Sequence, residues 1–210
     1  MAQAHFARVV INNTTTNKLE NAVLLHQFGD EYCETLQWDA PLRGSRQSGS
    51  KVVRYSTGFG AATDYDWWSL SWETEVAGQR YLHSTSPSLF TVISDYFLMQ
   101  GKGTLDAGGA AGQHVGTALA QTVPSAVISS GTSAATNMVN VLLGGVMRKV
   151  SKAAFVNFNL SAQDAYVPGA QGPEVCFVVK PDGKVTIVTL RISKDCEYSS
   201  LAVPIPIAEM

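Results

Sequence analysis

Charge is scarce in this sequence: 15% of its 210 residues are Asp, Glu, Lys or Arg, against roughly 25% in ordinary soluble domains. With a formal net charge of -2, there is no overall basic field to hold a polyanion, so nucleic acid is set aside as a partner. The three cysteines, Cys33, Cys176 and Cys196, are odd in number and far apart. They give neither a disulfide framework nor zinc spacing. No positively charged start followed by an apolar stretch opens the chain, so no secretory signal is read, synthesis in the cytosol is expected, and any outward route would be unconventional. The sequons at Asn13 and Asn159 then carry little weight. No internal repeat is found.

Groupings for catalysis are missing as well. His5, His26, His83 and His114 stand singly, none with a second His or Cys at metal-ligand spacing. There is no Gly-x-Ser-x-Gly elbow. Gly58-Phe59-Gly60 and Gly108-Gly109 lack the lysine and serine of a phosphate loop and read as turns. Asp64 and Asp66, on either side of Tyr65, suit turn capping better than a carboxylate pair. The expectation is a protein that is not an enzyme and uses neither cofactor nor metal.

What is present is strand material. Hydrophobic residues make up 45% of the chain, enough for one sizeable core in one domain over 1–210. Strands are expected at Phe6 to Asn12, within Leu19 to Phe28, at Lys51 to Tyr55, from Arg80 toward Met99, at Ala154 to Asn159, and in the pair Glu174 to Val179 and Lys184 to Ile192. Lys180-Pro181-Asp182-Gly183 joins that last pair with hairpin chemistry, since Pro fixes one turn dihedral and Gly accepts a positive one. The prolines of Val203-Pro204-Ile205-Pro206-Ile207 make the tail an edge or extended strap. Residues 101–150 differ, with apolar positions recurring at three and four residues: Val115, Leu119, Val123, Val127, then Met138, Val141, Leu142 and Val146. Pro124 and Gly131 divide them into two predicted helical pieces within 113–150. The stretch is too diluted by polar residues to read as a membrane span.

The densest aromatic segment is Asp64-Tyr65-Asp66-Trp67-Trp68-Ser69-Leu70-Ser71-Trp72-Glu73. Alternation places Trp68, Leu70 and Trp72 on one face, predicted as core, and Trp67, Ser69, Ser71 and Glu73 on the other, predicted to meet solvent. Tyr and Trp offer rigid contact area with an apolar body and a polar tip, suited to lipid headgroups. Their faces also attract quaternary ammonium groups such as choline. Tyr65 and Trp67, at the entrance of the strand, are the leading binding residues.

Arg8-Val9-Val10-Ile11-Asn12-Asn13, Leu19 to His26, the Gly-rich approach to Asp66-Trp67-Trp68, and Lys184 to Ile192 together resemble a small family named for up-regulation in long-lived nematodes with a mutant insulin-type receptor. Within it the chain resembles a mushroom protein that binds sphingomyelin and cholesterol together. Tyr65-Asp66-Trp67-Trp68-Ser69-Leu70 is also similar in type and order to the paired-tryptophan strand of the sea-anemone actinoporins. In that family the first tryptophan faces the membrane and the second packs inward. The resemblance implies a mostly β, actinoporin-like β-sandwich flanked by helices from residues 113–150. It also implies a phosphocholine patch drawn from Tyr65, Asp66, Trp67, Trp68, Tyr81 and Tyr96, with membrane lipid, sphingomyelin in the presence of cholesterol, as partner. Two departures stand beside it. The first strand begins at about Phe6 and leaves no room for the actinoporin amino-terminal helix, which argues against pore formation by that route. The tyrosine run after the paired tryptophans is reduced, with Tyr81 and Tyr96 its nearest counterparts. Two other readings use the same segments: a cytolysin inserting 113–150, and a lectin-like binder using the aromatics with Asp64 and Asp66.

Overall fold

The computed structural model describes residues 3–28, 32–57, 66–85, 155–165 and 174–203. They form two six-stranded sheets packed face to face. The first contains β1 (Gln3–Asn13), β4 (Arg46–Gln47), β5 (Lys51–Thr57), β9 (Glu174–Val179), β10 (Lys184–Val188) and β11 (Ser193–Glu197). The second contains β2 (Glu20–Phe28), β3 (Tyr32–Trp38), β6 (Asp66–Val76), β7 (Gln79–Ser84), β8 (Val156–Asn157) and β12 (Ser199–Val203). β1 and β9 run parallel, with Arg8 opposite Glu174 and Asn13 opposite Val179, while the other pairings among the described strands are antiparallel.

The core between the sheets follows from period-two alternation. β1 contributes Ala7, Val9 and Ile11; β9 contributes Val175, Phe177 and Val179; β10 contributes Val185 and Ile187. From the second sheet come Ala22, Leu24, Trp68, Leu70 and Trp72. Trp68 meets Phe177 across the gap with ring centroids 5.6 Å apart. The inward tryptophans are therefore core, as the alternation predicted. Lys180 to Gly183 closes the β9–β10 hairpin, with Gly183 at φ 82°.

Several expectations are corrected. Ser69, Ser71 and Glu73 on the opposite face of β6 are buried, as are Val23, Leu25 and Gln27 on the matching face of β2, so β2 and the middle of β6 are buried on both faces. Alternation identifies two faces but says nothing of what lies beyond the outer one. The strand expected over Lys184 to Ile192 stops at Val188, turns, and returns as β11. The one expected over Ala154 to Asn159 is reduced to the two residues of β8. The predicted helices of 113–150 lie outside the described residues, among which the helical structure is one 3-10 turn, Ala162–Asp164. Among the described residues the architecture is mostly β, as expected.

Candidate functional site

β6 carries the candidate site at its amino-terminal end. Its first half is flanked by β2 on one side and β8 on the other, with Trp67 opposite Asn157 and Trp68 opposite Val156. Its second half is flanked by β7. Trp68 is held from three directions. Its Nε1 donates to the Phe158 carbonyl at 2.8 Å, Phe177 packs on it, and the His26 imidazole stacks on it with centroids 4.0 Å apart.

His26 in turn joins two carboxylates. Its Nε2 lies 2.9 Å from Asp66 Oδ1 and its Nδ1 lies 3.4 Å from Glu34 Oε2. A carboxylate only accepts, so both contacts are satisfied together when both ring nitrogens carry hydrogen, which is the imidazolium form. Burial opposes that charge. The hydrogen bonds and charges of Asp66 and Glu34 outweigh it, and the pKa of His26 is raised above its ordinary 6.5. Asp66 is committed on its other side too: Oδ2 accepts from Leu160 N at 2.7 Å. Its backbone N donates to Asn159 Oδ1, and its carbonyl accepts from Phe158 N. Asp66 thus fastens the strand to the segment around Phe158.

Two residues expected in the lipid patch, Asp66 and Trp68, are accordingly buried and engaged with internal partners. Their geometry fits a support rather than a surface. Trp67, between them in sequence, points to the opposite face and is partly exposed. Tyr81 is placed elsewhere: it pairs with Thr74, seven residues along β6 from Trp67, or about 23 Å at roughly 3.3 Å per residue. There it belongs to a second aromatic group, in which His83 stacks on Trp72 at 5.2 Å and both meet Tyr198 edge-on. His83 Nε2 lies 2.8 Å from Thr74 Oγ1. Its Nδ1 is buried without a hydrogen-bond partner among the described residues. Burial lowers the His83 pKa to about 4, so this imidazole is neutral at pH 7. Tyr65 and Tyr96 lie outside the described residues.

In the sequence His26 stands singly, eight residues before Glu34. They sit on neighbouring strands, directly opposite each other in the β2–β3 register, and Asp66 comes from a third strand. One signal was available. His26 shares the inward parity of Ala22 and Leu24, and an imidazole placed there needs buried partners. Both ring nitrogens of His26 face carboxylates, so this imidazole is engaged within the cluster. Among the described residues no group of three His, Cys, Asp or Glu is arranged to hold a metal ion.

A family model described as up-regulated in long-lived daf-2 matches residues 3–165. No curated protein matches the chain.

Proposed function

Because the chain belongs to the family described as up-regulated in long-lived daf-2, a description of expression that names no ligand, we propose a function from the site itself: non-enzymatic binding of membrane lipid. The lipid is a phosphocholine-headed one, sphingomyelin accompanied by cholesterol, and Trp67 is the docking side chain.

The observation that carries the reading is the contrast between Trp67 and its neighbours. Asp66 and Trp68 are immobilised by five hydrogen bonds and a ring stack, while Trp67 is partly exposed on the other face. An indole on a rigid base loses little conformational entropy when it docks, which favours binding. Indoles partition to the headgroup layer, and an indole face attracts choline by about 0.5 to 2 kcal/mol. His26 and its carboxylates act as scaffold in this reading.

The test is co-sedimentation with phosphatidylcholine vesicles, with and without sphingomyelin and cholesterol, for the wild type and Trp67→Ala. Binding that sphingomyelin and cholesterol strengthen, and that Trp67→Ala weakens to the level of plain phosphatidylcholine vesicles at unchanged melting temperature, is the expected result. Equal binding by both proteins, or by both kinds of vesicle, removes the reading.

A further inference from the structure

The turn between β10 and β11 has unusual chemistry for its place. Turn tips favour Gly, Asn, Asp, Ser and Pro, yet this one reads Thr189-Leu190-Arg191-Ile192. Leu190 is 80% exposed and Ile192 47%. Thr189 fixes the shape of the tip beneath them. Its N donates to the Ile192 carbonyl at 2.8 Å, and its Oγ1 accepts from Arg191 N and Ile192 N, each at 3.3 Å. Two large aliphatic side chains are thus held out into water by a turn that is itself well bonded.

The placement of this tip gives it meaning. Lys194, two residues beyond Ile192, donates from Nζ to the Asn157 carbonyl at 2.7 Å, and Asn157 is the residue paired with Trp67. The hairpin therefore leans against the short strand that borders the Trp67 end of β6. Residues 189–194 carry two positive charges, Arg191 and Lys194, and no negative one. Both basic residues are exposed.

From this juxtaposition we propose that the β10–β11 tip is a second membrane anchor, which inserts Leu190 and Ile192 among the acyl chains while Arg191 and Lys194 lie at the phosphate level. Aliphatic groups leaving water supply the attraction, and long basic side chains reach back to phosphate as they do at membrane interfaces. The inference rests on the lipid-binding reading and adds to it a contact that is indifferent to headgroup type. Trp67 selects; the tip holds.

The experiment measures binding of the full chain to phosphatidylcholine vesicles and to phosphatidylcholine–sphingomyelin–cholesterol vesicles. The proteins are the wild type, Trp67→Ala and the double variant Leu190→Ser with Ile192→Ser. Because both tip side chains are solvent-facing, the double variant keeps its melting temperature. It is expected to bind both vesicle types more weakly, by on the order of tenfold or more, while keeping the wild-type ratio between them. A Leu190→Trp variant is expected to gain fluorescence that brominated acyl chains quench. Unchanged affinity of the double variant for both vesicles overturns the anchor and leaves the Trp67 reading intact. Binding that needs Leu190 and Ile192 but neither sphingomyelin nor Trp67 keeps the anchor and removes the headgroup reading. A wild type that binds no vesicle removes both. A wild-type dimer that the double variant converts to a monomer, without vesicle binding, assigns the tip to self-association instead.

Discussion

His26 stacks on Trp68 with ring centroids 4.0 Å apart and planes inclined by 25°, so an imidazole that two carboxylates bias toward its charged form lies against the face of a core indole. The contact is favourable in the sense of a desolvated cation–π pair, and it couples the charge cluster at the edge of the core to the packing between the sheets.

Asp66→Asn leaves His26 with one carboxylate and offers one oxygen and one NH2 where two oxygens stood, so it can accept from His26 Nε2 or from Leu160 N but not from both. Breaking a buried ion pair from one side costs about 3 to 5 kcal/mol. Asp66→Asn is therefore expected to lower stability by about that amount in urea denaturation. A loss under 1 kcal/mol would show that the cluster is not held as described.

Stability is expected to fall on both sides of a maximum near the ordinary histidine pKa of 6.5. The His26 pKa is raised in the folded state, so its contribution is complete below the ordinary 6.5 and is lost as pH rises through the raised value. The His83 pKa is lowered by burial to about 4. Its contribution is complete above 6.5 and falls away between there and about 4, by up to about 3 kcal/mol. Melting temperature followed against pH checks both: His26→Gln is expected to flatten the alkaline limb, and His83→Gln to shrink the acid one.

The β6–β7 turn places Ala77 at φ 52° and Gly78 at φ 79°, between the paired residues Val76 and Gln79. Two positive φ angles in a two-residue hairpin suit Asn-Gly far better than Ala-Gly. Ala77→Asn is expected to stabilise the protein by about 0.5 to 1 kcal/mol, read as a higher midpoint in urea with an unchanged slope.

Two glycines a few residues apart should respond in opposite ways. A Cβ on Gly44 would lie 2.5 Å from the Thr15 carbonyl oxygen, whereas one on Gly49 would meet nothing within 4 Å. Gly44→Ala is expected to cost about 1 to 3 kcal/mol, and Gly49→Ala to be neutral or slightly stabilising. Similar midpoints for the two variants would contradict the close approach at Thr15.

Local chemistry made parts of this fold legible in advance. Pro181 and Gly183 announced the β9–β10 turn, and the spacing of Trp68, Leu70 and Trp72 announced an inward face, because each depends on neighbours in sequence. Glu73 shows the limit. It looked like a solvent-facing residue, yet it is buried with Arg80 and Asn21 as ion-pair and hydrogen-bond partners, and neither partner can be found from its position in the alternation. The same holds for the candidate site. Trp67 could be singled out as the outward member of its pair, but His26, Glu34 and Asp66 meet only through strand register, which a single sequence does not state. Tyr81 was assigned beside Trp67 by resemblance and is carried by the β6–β7 register to the other end of β6.

The parallel pairing of β1 with β9 has a consequence for the order in which the chain can assemble. β1 is synthesised well before β9, its partner on one side, which follows only after the long segment between them. Until then β1 can pair with β5 and presents its other edge, with Val9, Val10 and Ile11 along it, to whatever is nearby. An open apolar edge of this kind recruits strands from other molecules, and such distant pairing is slow to form. A chain cut after residue 165, where the family match ends, would keep that edge open permanently. The β9–β11 segment is thus a late-arriving cover for an edge that would otherwise stay open to pairing.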